Sequence, residues 1–186
     1  MKEIVKPIAV LAAICLVVTA LLAYINSVTA PIIADADAKA EAKAVQEVLA
    51  DGQDFETVYK KGADDNKLTA ALPAEVTTVY KANNGAGYVF RLETKGYGGT
   101  ISLMCGIKAD GSIESTQTLT HSETSGIGSK VVDNESGYRE RYVGKTAADY
   151  DGVDAVTGAT ISSKAYKKAV KAAFEAFEAA TKEAQP

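Results

Sequence analysis

From Pro7 to Ala34 the chain carries no charged side chain, and Ile8 to Ile25 is almost wholly apolar. A helix rising 1.5 Å per residue crosses a hydrocarbon core of about 30 Å with about 20 apolar residues, so this run predicts a membrane-spanning helix. Lys2 and Lys6 precede the run and Asp35 and Asp37 follow it. That bias places the N-terminus in the cytoplasm and everything beyond Ala34 on the other side of the membrane. Val28-Thr29-Ala30 resembles a small-residue cleavage site behind a basic n-region, the mark of a signal peptide. The apolar run exceeds an ordinary h-region, which favours a retained anchor, and Ile14 stands where a lipidated Cys15 would need a small residue. The expected organisation is an anchor over residues 1–34 and one extracytoplasmic domain over 35–186.

Beyond the anchor the period changes. Residues 35 to about 50 are alanine-rich, with Ala44, Val45, Val48 and Leu49 on one side and Glu41, Lys43 and Glu47 on the other, a helix continuing outward and closed by Gly52. Strand-like runs follow at 55–59, 76–80, 88–94, 100–108 and 112–120. Asn83-Asn84-Gly85 and Ala109-Asp110-Gly111 are turn signals that pair their flanking strands as antiparallel hairpins. A short helix is expected over residues 135–143. From Tyr166 the apolar positions Tyr166, Val170, Ala173, Phe174 and Phe177 trace one face of a terminal helix. The sum is an α+β domain with an antiparallel sheet and flanking helices.

Charge and composition remove several functions. Without Lys2, Glu3 and Lys6, the exported part keeps 18 of the 20 basic and 23 of the 24 acidic side chains, a net charge of −5. An acidic domain without a basic, aromatic-studded patch is a poor match for nucleic acid. Cys15 and Cys105 are the only cysteines and His121 is the only histidine. This leaves no material for an iron–sulfur cluster or a thiolate zinc site and almost none for a haem or a protease triad, and no metal site is expected.

The chemistry concentrates at Asp154-Ala155-Val156-Thr157-Gly158-Ala159-Thr160, directly before the terminal helix. Thr160 falls at the helix start, where free amides and the helix dipole favour an anion. Gly158 and Ala159 are small enough to let a phosphate approach the backbone. The bland alternative makes Thr157 or Thr160 a simple N-cap. Lys164, Lys167, Lys168 and Lys171 crowd the first turns of this helix, where the dipole alone disfavours cations. A phosphate near Lys164 would offset that, whereas Lys168 and Lys171 read as a solvated face.

This segment resembles the attachment motif of the FMN-binding family found in Rnf and sodium-pumping NADH:quinone oxidoreductase complexes: Asp, two variable residues, Ser or Thr, then Gly-Ala-Thr. Two further segments match that family in the same order. Gly96-Tyr97-Gly98-Gly99-Thr100-Ile101 is similar to its glycine-rich run leading into a central strand, and His121-Ser122-Glu123-Thr124-Ser125-Gly126-Ile127-Gly128 to its His-x-Glu-Thr-Pro-Gly-Leu-Gly loop. Ser125 replaces the usual proline and Ile127 the usual leucine. The resemblance implies FMN esterified through its phosphate to Thr160, with Thr157, Gly158, Ala159 and Lys164 about the phosphate. It also implies Tyr97, Gly98, His121, Glu123, Thr124, Gly126 and Gly128 about the ring, and Asp154 read by a flavin transferase.

By length the chain is more similar to the G subunits of Rnf complexes than to the longer C subunits of the quinone reductases. The resemblance implies an electron carrier among other subunits of a membrane redox complex, inert as an isolated catalyst. Alternatives are the FMN-carrying component of a sodium-pumping quinone reductase, a flavoprotein of extracellular electron transfer, and a flavin-free extracellular binding module.

Overall fold

The computed structural model describes residues 2–183. Helix α1 runs Lys2–Val48 and is followed by strands β1 (Phe55–Lys60), β2 (Val76–Ala82), β3 (Gly87–Lys95), β4 (Thr100–Lys108) and β5 (Ile113–Thr120). A one-turn helix α2 (Ser129–Val132), two 3-10 turns and the long helix α3 (Thr160–Glu183) complete the chain. The chain divides into two compact units, one ending at Ala42 and the other beginning at Lys43.

In the first unit, Ile8, Leu11, Leu16, Val17 and Leu22 are all exposed. This is the one helix among the described residues long and apolar enough to cross a membrane. With apolar side chains all round it and no partner within its own unit, it suits a hydrocarbon surround. Pro7 and Pro31 lie within the helix, and Ser27 and Thr29 donate their hydroxyls back to the carbonyls of Tyr24 and Ile25. Such local bonds satisfy these hydroxyls within the helix itself.

The second unit is an antiparallel meander in the order β1-β2-β3-β4-β5. Alternation of side chains gives the sheet two buried faces. Phe90, Leu92, Ile101, Leu103, Cys105 and Ile107 on one face pack against Tyr166, Ala169, Val170, Ala173 and Phe174 of α3. On the opposite face, Ala82, Val89 and Met104 pack under Ala44, Val45, Val48 and Leu49, the last turn of α1 and its exit. Close approach there depends on Gly106, because a Cβ at this position would stand 2.0 Å from the carbonyl oxygen of Val48.

Both edges of the sheet are sealed by the chain itself. Along β5, Asn134 donates to the Thr118 carbonyl and accepts its amide, Arg139 reaches the Thr116 carbonyl, and Ile113 exchanges bonds with Gly144 and Lys145. Along β1, the Asn66 side chain brackets the amide and carbonyl of Lys60, and the Leu68 amide bonds the Val58 carbonyl. Unpaired edges invite strand addition from other chains, and here little is left to offer.

The strands lie where the sequence places them, to within two residues at each end. The helix expected over 135–143 is not formed. Gly137 takes a left-handed φ of 74° and Asn134 is committed to the β5 edge, so only a 3-10 turn, Arg139–Tyr142, forms. The i, i+4 pair Tyr138 and Tyr142 is buried, as an edge-on aromatic pair beside Tyr166.

Gly106→Ala should force the α1 exit off the sheet. Overpacking of this kind costs about 1–3 kcal/mol, and a thermal melt should show a clear drop. An unchanged midpoint would mean that the α1 exit contributes nothing to the domain.

Candidate functional site

A cavity of about 430 Å³ opens where three segments meet: the β3–β4 turn, the loop after β5, and the start of α3. It is lined by Tyr97, Glu123, Thr124, Ile127, Gly128, and Gly158 through Ser162. That volume falls in the range of small-molecule and cofactor pockets. Its rim is apolar, with Tyr97, Ile127 and Ile161 each more than half exposed. Large apolar side chains left facing outward around a cavity mark a surface that something covers.

The attachment candidate sits at the mouth. Thr160 is the first residue of α3 and is exposed. Gly158 turns the chain with φ of 84°, a conformation that favours glycine. The Ala159 amide closes that turn on the Val156 carbonyl, and the first helical bond runs from the Ser163 amide to the Ala159 carbonyl. The amides of Thr160, Ile161 and Ser162 meet no acceptor among the described residues, and the first turn holds no acidic side chain. Neither Thr157 nor Thr160 makes a side-chain hydrogen bond there. This helix therefore starts without a side-chain cap, with three donors free for an anion. Ser163 faces the other way and accepts the Val156 amide at 3.0 Å, which pins the preceding extended segment.

The loops are tied together by one carboxylate. Glu123 is buried, and its Oε1 accepts the Gly98 amide at 2.9 Å while its Oε2 accepts the Ser162 hydroxyl. A Cβ on Gly96 or Gly128 would collide with this carboxylate, and one on Gly98 would stand 2.1 Å from the Ser122 carbonyl oxygen. The close approaches that these glycines permit are thus to the 121–124 segment. From the glycine-rich turn only Tyr97 reaches the cavity.

His121 works within the same loop. Its Nδ1 accepts the Glu123 amide at 3.2 Å and its Nε2 lies 2.9 Å from Asp133 Oδ1, an arrangement that requires the proton on Nε2. Gly126, with φ of 77° and open space where a Cβ would go, serves the turn. Its amide is accepted by Ser129 Oγ. His121, Gly98, Gly126, Thr157 and Lys164 lie outside the cavity lining, as does Asp154, which is exposed on the segment leading to α3.

Among the lysines of α3, Lys168 pairs with Glu75 at 2.6 Å, Lys171 with Glu175 at 3.5 Å, and Lys167 donates to the Asp151 carbonyl at 2.6 Å. Lys164 has no hydrogen-bond or ion-pair partner among the described residues. Sequence reasoning missed Ser162, Ile127 and Ile161 as parts of the site. Ser162 had a signal, since it sits one turn before Tyr166 on the buried face, where a polar side chain needs a partner.

Residues 96–175 match the FMN-binding domain model, which takes in all three segments around the cavity, and residues 1–48 match the RnfG N-terminal region. The chain is 33% identical to the G subunit of an ion-translocating oxidoreductase complex from Methanosarcina acetivorans, over 94% of each protein. It is 31% identical to the G subunit of the Na(+)-translocating ferredoxin:NAD(+) oxidoreductase complex from Acetobacterium woodii, over 84% of this chain and 83% of that one. The crystal structure of Shewanella oneidensis NqrC shares the fold, with a TM-score of 0.51 at 21% identity, over 71% of this chain and 89% of that one. An apolar N-terminal helix of matching family, an FMN-binding domain and likeness along most of the chain to two such proteins lead to one assignment: the chain belongs to the RnfG family of ion-translocating oxidoreductase complexes.

Proposed function

We propose that this protein is the electron-carrying G subunit of a membrane-bound, ion-translocating oxidoreductase of the ferredoxin:NAD type, with FMN joined by a phosphoester to Thr160. The observation that carries this reading is the exposed Thr160 hydroxyl on an uncapped helix N-terminus, at the mouth of a cavity with apolar walls. The free amides of Thr160 to Ser162 suit the phosphate, and Tyr97, Ile127 and Ile161 suit a flat ring. FMN supplies the redox chemistry when bound. The chain's residues hold it, orient it and set its electrostatic surroundings.

On this reading no general base or nucleophile for a substrate is needed. The linkage gives retention: a cofactor on the far side of the membrane cannot be lost by dilution. Residues 1–34 serve as the anchor and the remainder stands outside the cytoplasm, where a flavin transferase reads Asp154 and esterifies Thr160. Asp154 is exposed and makes no side-chain bond among the described residues, so it is free to be read.

Coexpression with a flavin transferase should add the mass of FMN less one water to the intact protein, with yellow colour kept after acid precipitation. Thr160→Ala should lose that mass with the fold intact. Covalent flavin at the wild-type level in the mutant would remove the attachment claim. Because Thr160 makes no capping bond, its loss should cost well under the ~1 kcal/mol of a working N-cap.

Asp154→Ala should depress flavinylation several-fold while circular dichroism stays that of the wild type. A folded mutant that is fully flavinylated would show that the transferase does not read this residue.

Orientation is open to labelling. Asp64 is exposed in the loop between β1 and β2, and Cys105 is fully buried with its thiol pKa pushed up by that burial. In a Cys15→Ser background, Asp64→Cys should react with a membrane-impermeant maleimide on intact cells. Reaction only after the membrane is breached would reverse the topology.

A further inference from the structure

The charge inventory of the cavity points to a property of the bound ring. Among the residues lining the cavity, Glu123 alone is charged. It is buried, and both of its side-chain partners among the described residues are neutral donors, the Gly98 amide and the Ser162 hydroxyl. No Lys or Arg lines the cavity. The charged and titratable groups on the surrounding elements include the His121–Asp133 pair behind the loop, the Tyr97 hydroxyl on the rim, Asp154 on the segment leading to α3, Lys95 before the glycine turn, Lys130 on α2 and Lys164 on α3. The three lysines are exposed and none belongs to the lining. The free amides at the start of α3 lie beside Thr160, at the phosphate end.

A ring in this cavity therefore meets a buried negative charge and no positive one. Adding electrons to it is disfavoured, and a negatively charged reduced ring is disfavoured further. We infer that Glu123 lowers the reduction potential of the bound flavin and holds its reduction to a proton-coupled course. With FMN bound, two electrons from a neighbouring donor would be matched by two protons from water, giving the neutral reduced ring. This rests on the reading above that FMN occupies the cavity.

Glu123 also braces three segments, so charge must be separated from structure. Glu123→Gln does this, because its amide oxygen can still accept the Gly98 amide and its NH2 can donate to the Ser162 hydroxyl. Ile127→Lys provides a second route, placing a cation on the exposed rim without touching the brace. The experiment is a potentiometric titration of the full-length, FMN-loaded protein across a range of pH, following flavin absorbance.

In the wild type, two protons should accompany two electrons up to a break at alkaline pH, beyond which one does. Glu123→Gln should raise the midpoint potential and move that break to lower pH. Ile127→Lys should shift both in the same direction. If both variants titrate like the wild type, or if Glu123→Gln lowers only the melting temperature, the charge is without effect on the ring and the inference fails. If the wild-type chain takes up no flavin, as judged by mass and absorbance, it is the reading of the site that fails.

Discussion

The packing of α3 across the sheet fixes every group in the site, because the residue that opens this helix is Thr160 and the next two turns are already core. Tyr166 is buried with its hydroxyl 2.8 Å from Thr116 Oγ1 of β5. Burial pushes the Tyr166 pKa up. A helix turns about 100° per residue, so a slip of one position would carry this hydroxyl away from its partner and turn lysines into the core. The Tyr166–Thr116 bond thus works as a register pin. At the far end of α3, the Glu183 carboxylate holds the amides of Thr69 and Ala70. The helix is fastened at its C-terminal end and along one face.

From that fixed helix the site is assembled by a single carboxylate. Glu123 reaches the β3–β4 turn through Gly98 and α3 through Ser162, so the two loops and the helix start share one reference point. His121 supports the same loop from behind through Asp133. Gly96, Gly98 and Gly128 are small so that these segments can close on one another. The closed segments present Tyr97, Ile127 and Ile161 to the cavity.

Much of this was legible in the sequence. The strand-like run at 100–108 and the turn signals at 83–85 and 109–111 point to the meander, since strand composition and turn chemistry are local properties. Thr160 was legible because a helix start is marked by its neighbours. The fold between 121 and 153 was harder to read. There the backbone is set by long-range commitments, Asn134 and Arg139 to the β5 edge and Glu123 to Gly98 and Ser162, and no window of sequence contains both partners. The same limit applies to Gly98: its smallness was evident, but whether it faced a ring or Ser122 was not.

Because Thr160 is a residue of a core helix, with Ser162 and Ser163 already buried behind it, no slack separates the proposed point of attachment from the body of the domain. A cofactor joined there has no swinging arm such as a flexible linker would provide. Any gap wider than its own reach would have to be closed by carrying the whole domain, so distances to its redox neighbours become a matter of how the complex positions or moves this subunit.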